Sequence, residues 1–240
     1  MLDYHIHLAR FPEPERLCRE LEARDFHAIL VACEPWEWEV AETLIGQFPQ
    51  MFTPCFGIHP EIALDVDDFQ LKRLETLLRK YPQALVGECG IDKRFPAYAE
   101  KETQENLFLY QAKLSIEFSR PLMLHVVGDF RRILDILENL RFPQKNAYPI
   151  FHRFCGDSEI AVRAQKLNAL FSIHRDSLRK ESTKKALLKI PQADIRFETD
   201  ADEKFFSDKI RTPKEAADAI TSALLTVKRS FDRINQSSNM

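Results

Sequence analysis

Near the N-terminus, "DYHIH" sets Asp3, His5 and His7 at alternate positions of a short β-rich run. Alternation sends all three side chains to one face of a strand, where they converge. Two imidazoles and a carboxylate in that arrangement are donors for a divalent cation, although an HxH pair alone is a weak sign. Further on, "VGECGID" puts Glu88 at the end of an apolar run, where a buried strand should be finishing. The third apolar run ends in "GIHP" with His59, the fifth with His125, the sixth with His152, and the eighth with Asp200. Glu34, shortly after the second run, is a weaker case.

These residues need elements to hold them together. The runs "MLDYHI", "HAILVAC", "FTPCFGI", "QALVGE", "PLMLHV", "YPIFH", "ALFSI" and "DIRFET" read as eight strands. Between most of them lie stretches such as "DFQLKRLETLLRKYP" and "DFRRILDILENLRF", with apolar residues every three or four positions, as in amphipathic helices. Strands alternating with helices predict parallel strands joined by crossovers. Eight units in 240 residues fit an α/β fold of the (β/α)8 TIM-barrel type, with a doubly wound open sheet as the alternative. Residues 1–234 read as one domain, closed by the helix "EAADAITSALLTVKRSFDRI", and residues 235–240 as a polar, frayed tail.

In a parallel barrel the strand C-termini open into the loops that carry the site. Five of the seven histidines, with Glu88 and Asp200, fall there. One strand-end histidine is commonly structural, and one loop glutamate is commonly a cap or an ion-pair partner. Their convergence on one rim, with no lysine or arginine at the equivalent positions, points instead to a pocket for one or two divalent cations. His27, at the opposite end of its strand, reads as a surface residue. His174 and Arg175 read either as lining the pocket mouth or, the preferred reading, as part of a solvated loop, and Cys55, Cys89 and Cys155 as small packing residues.

Composition narrows the setting. Five scattered cysteines without a CxxC pair suit reduced thiols and a cytoplasmic location. No run approaches the ~18 apolar residues that cross a bilayer, so no membrane partner is expected, and a monomer is the expected state. A net charge of −3 does not mark a general nucleic-acid binder. An anionic substrate would have to be held by local charge or by metal.

Taken in order, "DYHIH", "GIHP", "GECGID", "PLMLH", "IFHRFCG" and "FETDAD" resemble the motifs of the TatD family of metal-dependent hydrolases, over more than four-fifths of the chain. The resemblance implies a TIM-type barrel of the amidohydrolase-like group, a pair of divalent metal ions (Mg²⁺, Mn²⁺ or Zn²⁺), and hydrolysis of DNA or another phosphodiester, often from 3′ ends. It makes His5, His7, His125 and His152 metal ligands and Glu88 the bridging carboxylate. Asp200 becomes a ligand and candidate catalytic base. His59 is expected close to the phosphate, with a ligand role as the alternative, and Arg153 is a further substrate contact. Asp92 and Asp3 are expected behind the ligands, with Asp3 orienting a ligand histidine.

The chain also departs from the family pattern. Val127 stands where many relatives carry arginine, Arg153 where a small residue or cysteine is usual, and "TDAD" replaces "TDAP". The stretch after the eighth strand reads as shortened. Two competing readings follow: an amidohydrolase or esterase acting on a small non-nucleic substrate, and a barrel that binds without turnover. A carboxylated lysine often bridges the metals in such amidohydrolases, and this chain has Glu88 there.

Overall fold

The computed structural model describes residues 1–100, 102–205 and 212–238. Its eight strands lie within the predicted runs or within two residues of them, except that β4 continues four residues past its run. They are β1 (Leu2–Ile6), β2 (His27–Ala32), β3 (Phe52–Phe56), β4 (Leu85–Asp92), β5 (Leu122–Val127), β6 (Pro149–Phe151), β7 (Leu170–Ile173) and β8 (Ile195–Phe197). They pair in sequence order in one sheet, each neighbour parallel. The ring shuts where Ile6 bridges Ala201. There the His7 amide donates to the Ala201 carbonyl at 2.9 Å, and the Asp200 amide to the His5 carbonyl at 2.9 Å. Sequential order and closure make this a (β/α)8 barrel. A doubly wound sheet would reverse its strand order partway across.

The helices are α1 (Pro14–Glu22), α2 (Pro35–Gln47), α3 (Asp68–Lys80), α4 (Thr103–Phe118), α5 (Phe130–Asn139), α6 (Ser158–Gln165), α7 (Glu181–Leu187) and α8 (Pro213–Ser238). Helix α7 has too few residues for the 3.6-residue period to show in the sequence. Helix α8 runs past the boundary drawn at residue 234: residues 235–238 continue the helix, and 239–240 lie outside the described residues. Among the described residues no helix is long and apolar enough to cross a membrane.

Alternation along the strands separates two apolar layers. Ala28, Leu30, Leu122, Leu124 and Phe151 belong to the larger core, under the helices. Ile29, Val31, Cys55, Leu85, Met123 and Ile150 form a second cluster. In β5 and just past β6 the next residues on that second face are His125 and His152. The apolar filling therefore ends where the polar residues begin.

Two register shifts fall at chemistry-bearing residues, between Asp3 and Ile6 in β1 and between Val86 and Cys89 in β4. Such irregularities re-aim side chains, and here they frame His5 and Glu88. Gly90 follows the second one at φ +150, and a Cβ placed on it would sit 2.0 Å from the His125 carbonyl oxygen. Gly90→Ala is therefore expected to cost about 3 kcal/mol in strain and overpacking. Urea unfolding would show this as a lowered midpoint; an unchanged midpoint would mean that β4 and β5 do not approach this closely.

Candidate metal centre

The strand ends bring six predicted residues to one point, and Glu88 lies at its middle. Glu88 is 2% exposed, and His5 and His7 are buried at the end of β1. Glu88 Oε2 lies 3.2 Å from His5 Nε2 and 3.5 Å from His7 Nε2. Asp200 Oδ1 completes this side, 3.8 Å from His5 Nε2 and 3.6 Å from His7 Nε2. The other oxygen, Oε1, faces His125 Nδ1 at 2.5 Å and His152 Nε2 at 3.3 Å. One carboxylate thus stands between two sets of donors.

The donor sets fit metal ions. His5 Nε2 and His7 Nε2 lie 3.1 Å apart, two ring nitrogens turned on one another deep in the protein. Ligands about 2.1 Å from one ion sit roughly 3.0–3.4 Å from each other, so the spacing is that of a shared coordination sphere. Among the described residues four overlapping groups could hold a metal: His5, His7 and Asp200; His5, Glu88 and His152; His59, Glu88 and His125; and His7, Cys33 and Glu37.

Charge balance is consistent with this. Burial pushes the Glu88 carboxyl up, but His152, His5 and His125 hold it well below the usual carboxylate range. Burial works against protonated His152, yet Glu198, Glu88 and Asp200 raise it to about 9. Without cations, the carboxylates therefore keep a proton on this histidine.

Around the donors stand residues that hold them in place. Asp92 Oδ2 meets His125 Nε2 at 2.8 Å and accepts from Arg94 Nη2 at 2.5 Å, as expected for a residue behind a ligand. Asp3 differs from expectation. Its carboxylate accepts from the His5 amide at 3.1 Å, the Thr199 amide at 3.0 Å and the Thr199 hydroxyl at 2.5 Å. It ties β1 to the end of β8 through the main chain and touches no imidazole, because the histidine rings lie farther along the strand.

Arg153 also differs. It donates from Nη1 to Asp200 Oδ2 at 2.7 Å and pairs with Asp176 through Nη2. The two nearest carboxylates engage the charge that was expected to await a substrate, while the side chain stays 43% exposed at the mouth. His59 sits with its ring centre 4.3 Å from that of His125. Its Nδ1 accepts the Glu61 amide at 3.1 Å, which leaves Nε2–H as a donor.

His27 is half exposed and pairs with Asp25, in line with a surface role. Glu34 caps α2 and pairs with Arg10 at 3.1 Å. His174 corrects the loop expectation: it is 4% exposed and lines the cavity over the donors. Its Nδ1 accepts the Asp176 amide at 3.2 Å, and this local turn buries the ring.

Sequence reasoning missed Glu198, fully buried with Oε1 3.0 Å from His152 Nδ1. Its position two residues before Asp200 in "FETD" was the available signal. It also missed Glu37, whose Oε2 accepts the Cys33 and Glu34 amides at 2.6 and 2.8 Å.

Burial, with Arg153 nearby and partly offset by Glu198, pushes His174 down to about 4. A histidine depressed on folding stabilises fully above its unfolded pKa, and that contribution is lost as pH falls from about 6.5 towards 4. From pH 7 to 5 the loss is on the order of 2 kcal/mol. His174→Gln should lose less stability than wild type across that interval in EDTA, measured by urea unfolding. Parallel pH profiles would contradict this assignment.

The cavity above the donors has a volume of about 400 Å³, and its wall includes Arg10, Arg94, Arg153, Arg175 and Lys204. Glu61, Glu88, Asp200 and Asp202 share that wall, so the mouth carries both signs of charge, with Arg10, Arg94 and Arg153 each paired to a carboxylate.

Comparison with known proteins places the chain in a family. The model of the family described as TatD related DNase matches residues 2–236, a span that takes in most of α8. A mouse protein named putative deoxyribonuclease TATDN3 is 27% identical over 217 residues, 84% of this chain and 72% of its own. A Yersinia pseudotuberculosis protein named 3'-5' ssDNA/RNA exonuclease TatD is 27% identical over 188 residues, 76% of this chain and 70% of its own. Among solved structures, the TatD homolog YJJV of Escherichia coli K12 superposes with a TM-score of 0.76 at 24% identity, covering 98% of this chain and 93% of that chain. With a family model spanning nearly its whole length, the chain belongs to the TatD related DNase family.

Proposed function

We propose that this protein is a divalent-metal-dependent phosphodiesterase that removes nucleotides from the 3′ end of single-stranded nucleic acid. The observation that carries the reading is the split of Glu88, with Oε2 towards His5 and His7 and Oε1 towards His125 and His152. His5, His7 and Asp200 would hold one ion, His125 and His152 the other, with Glu88 shared. Ions so held supply Lewis acidity and a hydroxide source near neutral pH. A set rich in imidazole suits Mn²⁺ or Zn²⁺, and Mg²⁺ is the third candidate.

The remaining steps fall to the protein's own groups. Asp200 accepts the proton of the attacking water, its Oδ2 steadied by Arg153. His59 donates Nε2–H to a phosphate oxygen, because its Nδ1 is already occupied by the Glu61 amide. The cations of the mixed-charge mouth meet the anionic strand. The five free thiols support a reducing, cytoplasmic setting, with a monomer as the working unit. The name of the Yersinia relative supports the choice of substrate and polarity.

The test is degradation of a 3′-end-labelled single-stranded DNA oligonucleotide with Mg²⁺ or Mn²⁺, with EDTA, and with His152→Ala. Metal-dependent loss of label by wild type alone is the expected result. No cleavage by protein that retains its metal would overturn the nuclease reading and favour a different ester or amide.

A further inference from the structure

A second cavity, of about 460 Å³, lies beside the metal centre. Arg94, His125, His152 and Arg153 belong to the walls of both spaces, so it opens on the His125/His152 side of Glu88. Beyond that shared wall its character changes. Val126, Val127, Phe130 and Ile160 line it with hydrocarbon. The Phe130 ring is fixed from behind by Phe151, at 6.2 Å and 26°, and by Phe154, at 5.8 Å and 78°. Lys180, Ser182, Asp157 and Asp176 also border the space; Asp157 accepts the Glu159 and Ile160 amides and Asp176 pairs with Arg153, so neither carboxylate is without a partner.

This is room for a small organic group, well within the ~300–1,000 Å³ of ligand pockets. Arg94 pairs with Asp92, and Arg153 with Asp200 and Asp176, yet the two guanidiniums stay 62% and 43% exposed at the neck; with hydrocarbon beyond them they complement a ligand with an anionic end and a flat, weakly polar body. A ring held rigid by two others offers that body a stacking surface, and stacking tolerates any base. The geometry points to this cavity as the subsite for the nucleobase next to the scissile phosphate, with the phosphate at the Arg94–Arg153 neck. The inference rests on the phosphodiesterase reading and narrows its substrates to those carrying an aromatic base. Small alkyl diesters would leave the cavity empty and bind weakly. Lys180 and Ser182 supply donors for the carbonyl edge of a base.

The chain carries its own reporter for this site. Cys155 lines the cavity and is partly exposed, whereas Cys18, Cys33, Cys55 and Cys89 are buried. Its alkylation by iodoacetamide would be followed by peptide mass spectrometry on the full chain in Mg²⁺. Thymidine 5′-monophosphate at ten times its dissociation constant is expected to slow labelling about tenfold, and methyl phosphate at the same concentration is expected not to. In Phe130→Ala, which removes the stacking ring, the same protection should need about tenfold more nucleotide, equivalent to about 1.4 kcal/mol.

Equal protection by methyl phosphate, or none by the nucleotide, would overturn the base subsite. Labelling requires no turnover, so the two readings fail separately. Cleavage of the oligonucleotide without nucleotide protection sinks the subsite alone, and protection without cleavage supports the subsite and sinks the nuclease.

Discussion

Glu88→Gln is expected to release bound metal from both donor sets and to lower hydrolysis on the order of a thousandfold or more, because the ions supply several kcal/mol of transition-state stabilisation. The substitution keeps the size of the side chain and removes its charge. His5 and His7 then lose the anion 3.2 and 3.5 Å away, and His125 and His152 lose the one at 2.5 and 3.3 Å. The informative comparison is with His152→Ala, which touches only the Oε1 side. Metal content measured by mass spectrometry should fall for both sites in Glu88→Gln and for one in His152→Ala. Two equivalents of metal retained in Glu88→Gln would show that the carboxylate does not join the sets.

Asp200→Asn removes the candidate base and weakens the donor set of His5 and His7 at the same time. Burial raises the Asp200 carboxyl, but His152, His7 and His5 hold it far below its ordinary range, so it is ionised across the working pH range. An amide at this position can still accept from Arg153 but cannot take a proton from water. General-base removal costs roughly 10²–10⁴ in rate, and kcat should fall by that order. Metal at the His125/His152 side should remain, since Asp200 Oδ1 faces His5 and His7. A variant with wild-type kcat would remove Asp200 from the role of base.

Much of this architecture is legible in the chain. The barrel follows from alternating periodicities, and the histidine positions follow from where the apolar runs stop. His5, His7, Glu88, His125, His152 and Asp200 all sit at strand ends, so knowing the strands is enough to place them on one rim. Legibility fails where a side chain's partner is distant in sequence and fixed only by packing. Nothing near Arg153 in the sequence announces Asp176 or Asp200, and the strand pattern of "DYHIH" cannot reveal that Asp3 grips Thr199. His174 was misread because a short 3-10 turn, Arg175–Leu178, folds its ring inward, and such turns leave no periodic trace.

The bonds that shut the ring are also the bonds that deliver Asp200 to the histidines: Asp200 amide to His5 carbonyl, His7 amide to Ala201 carbonyl, Thr199 to Asp3. On the ribosome, synthesis runs from the N-terminus, and domains fold as units. A growing chain already carries His5, His7, Glu88, His125 and His152, but it has no Asp200 until strand β8 has emerged, and no seam to set the acid in place. The donor set is therefore completed only when the ring closes, so assembly of the site and completion of the fold are one event.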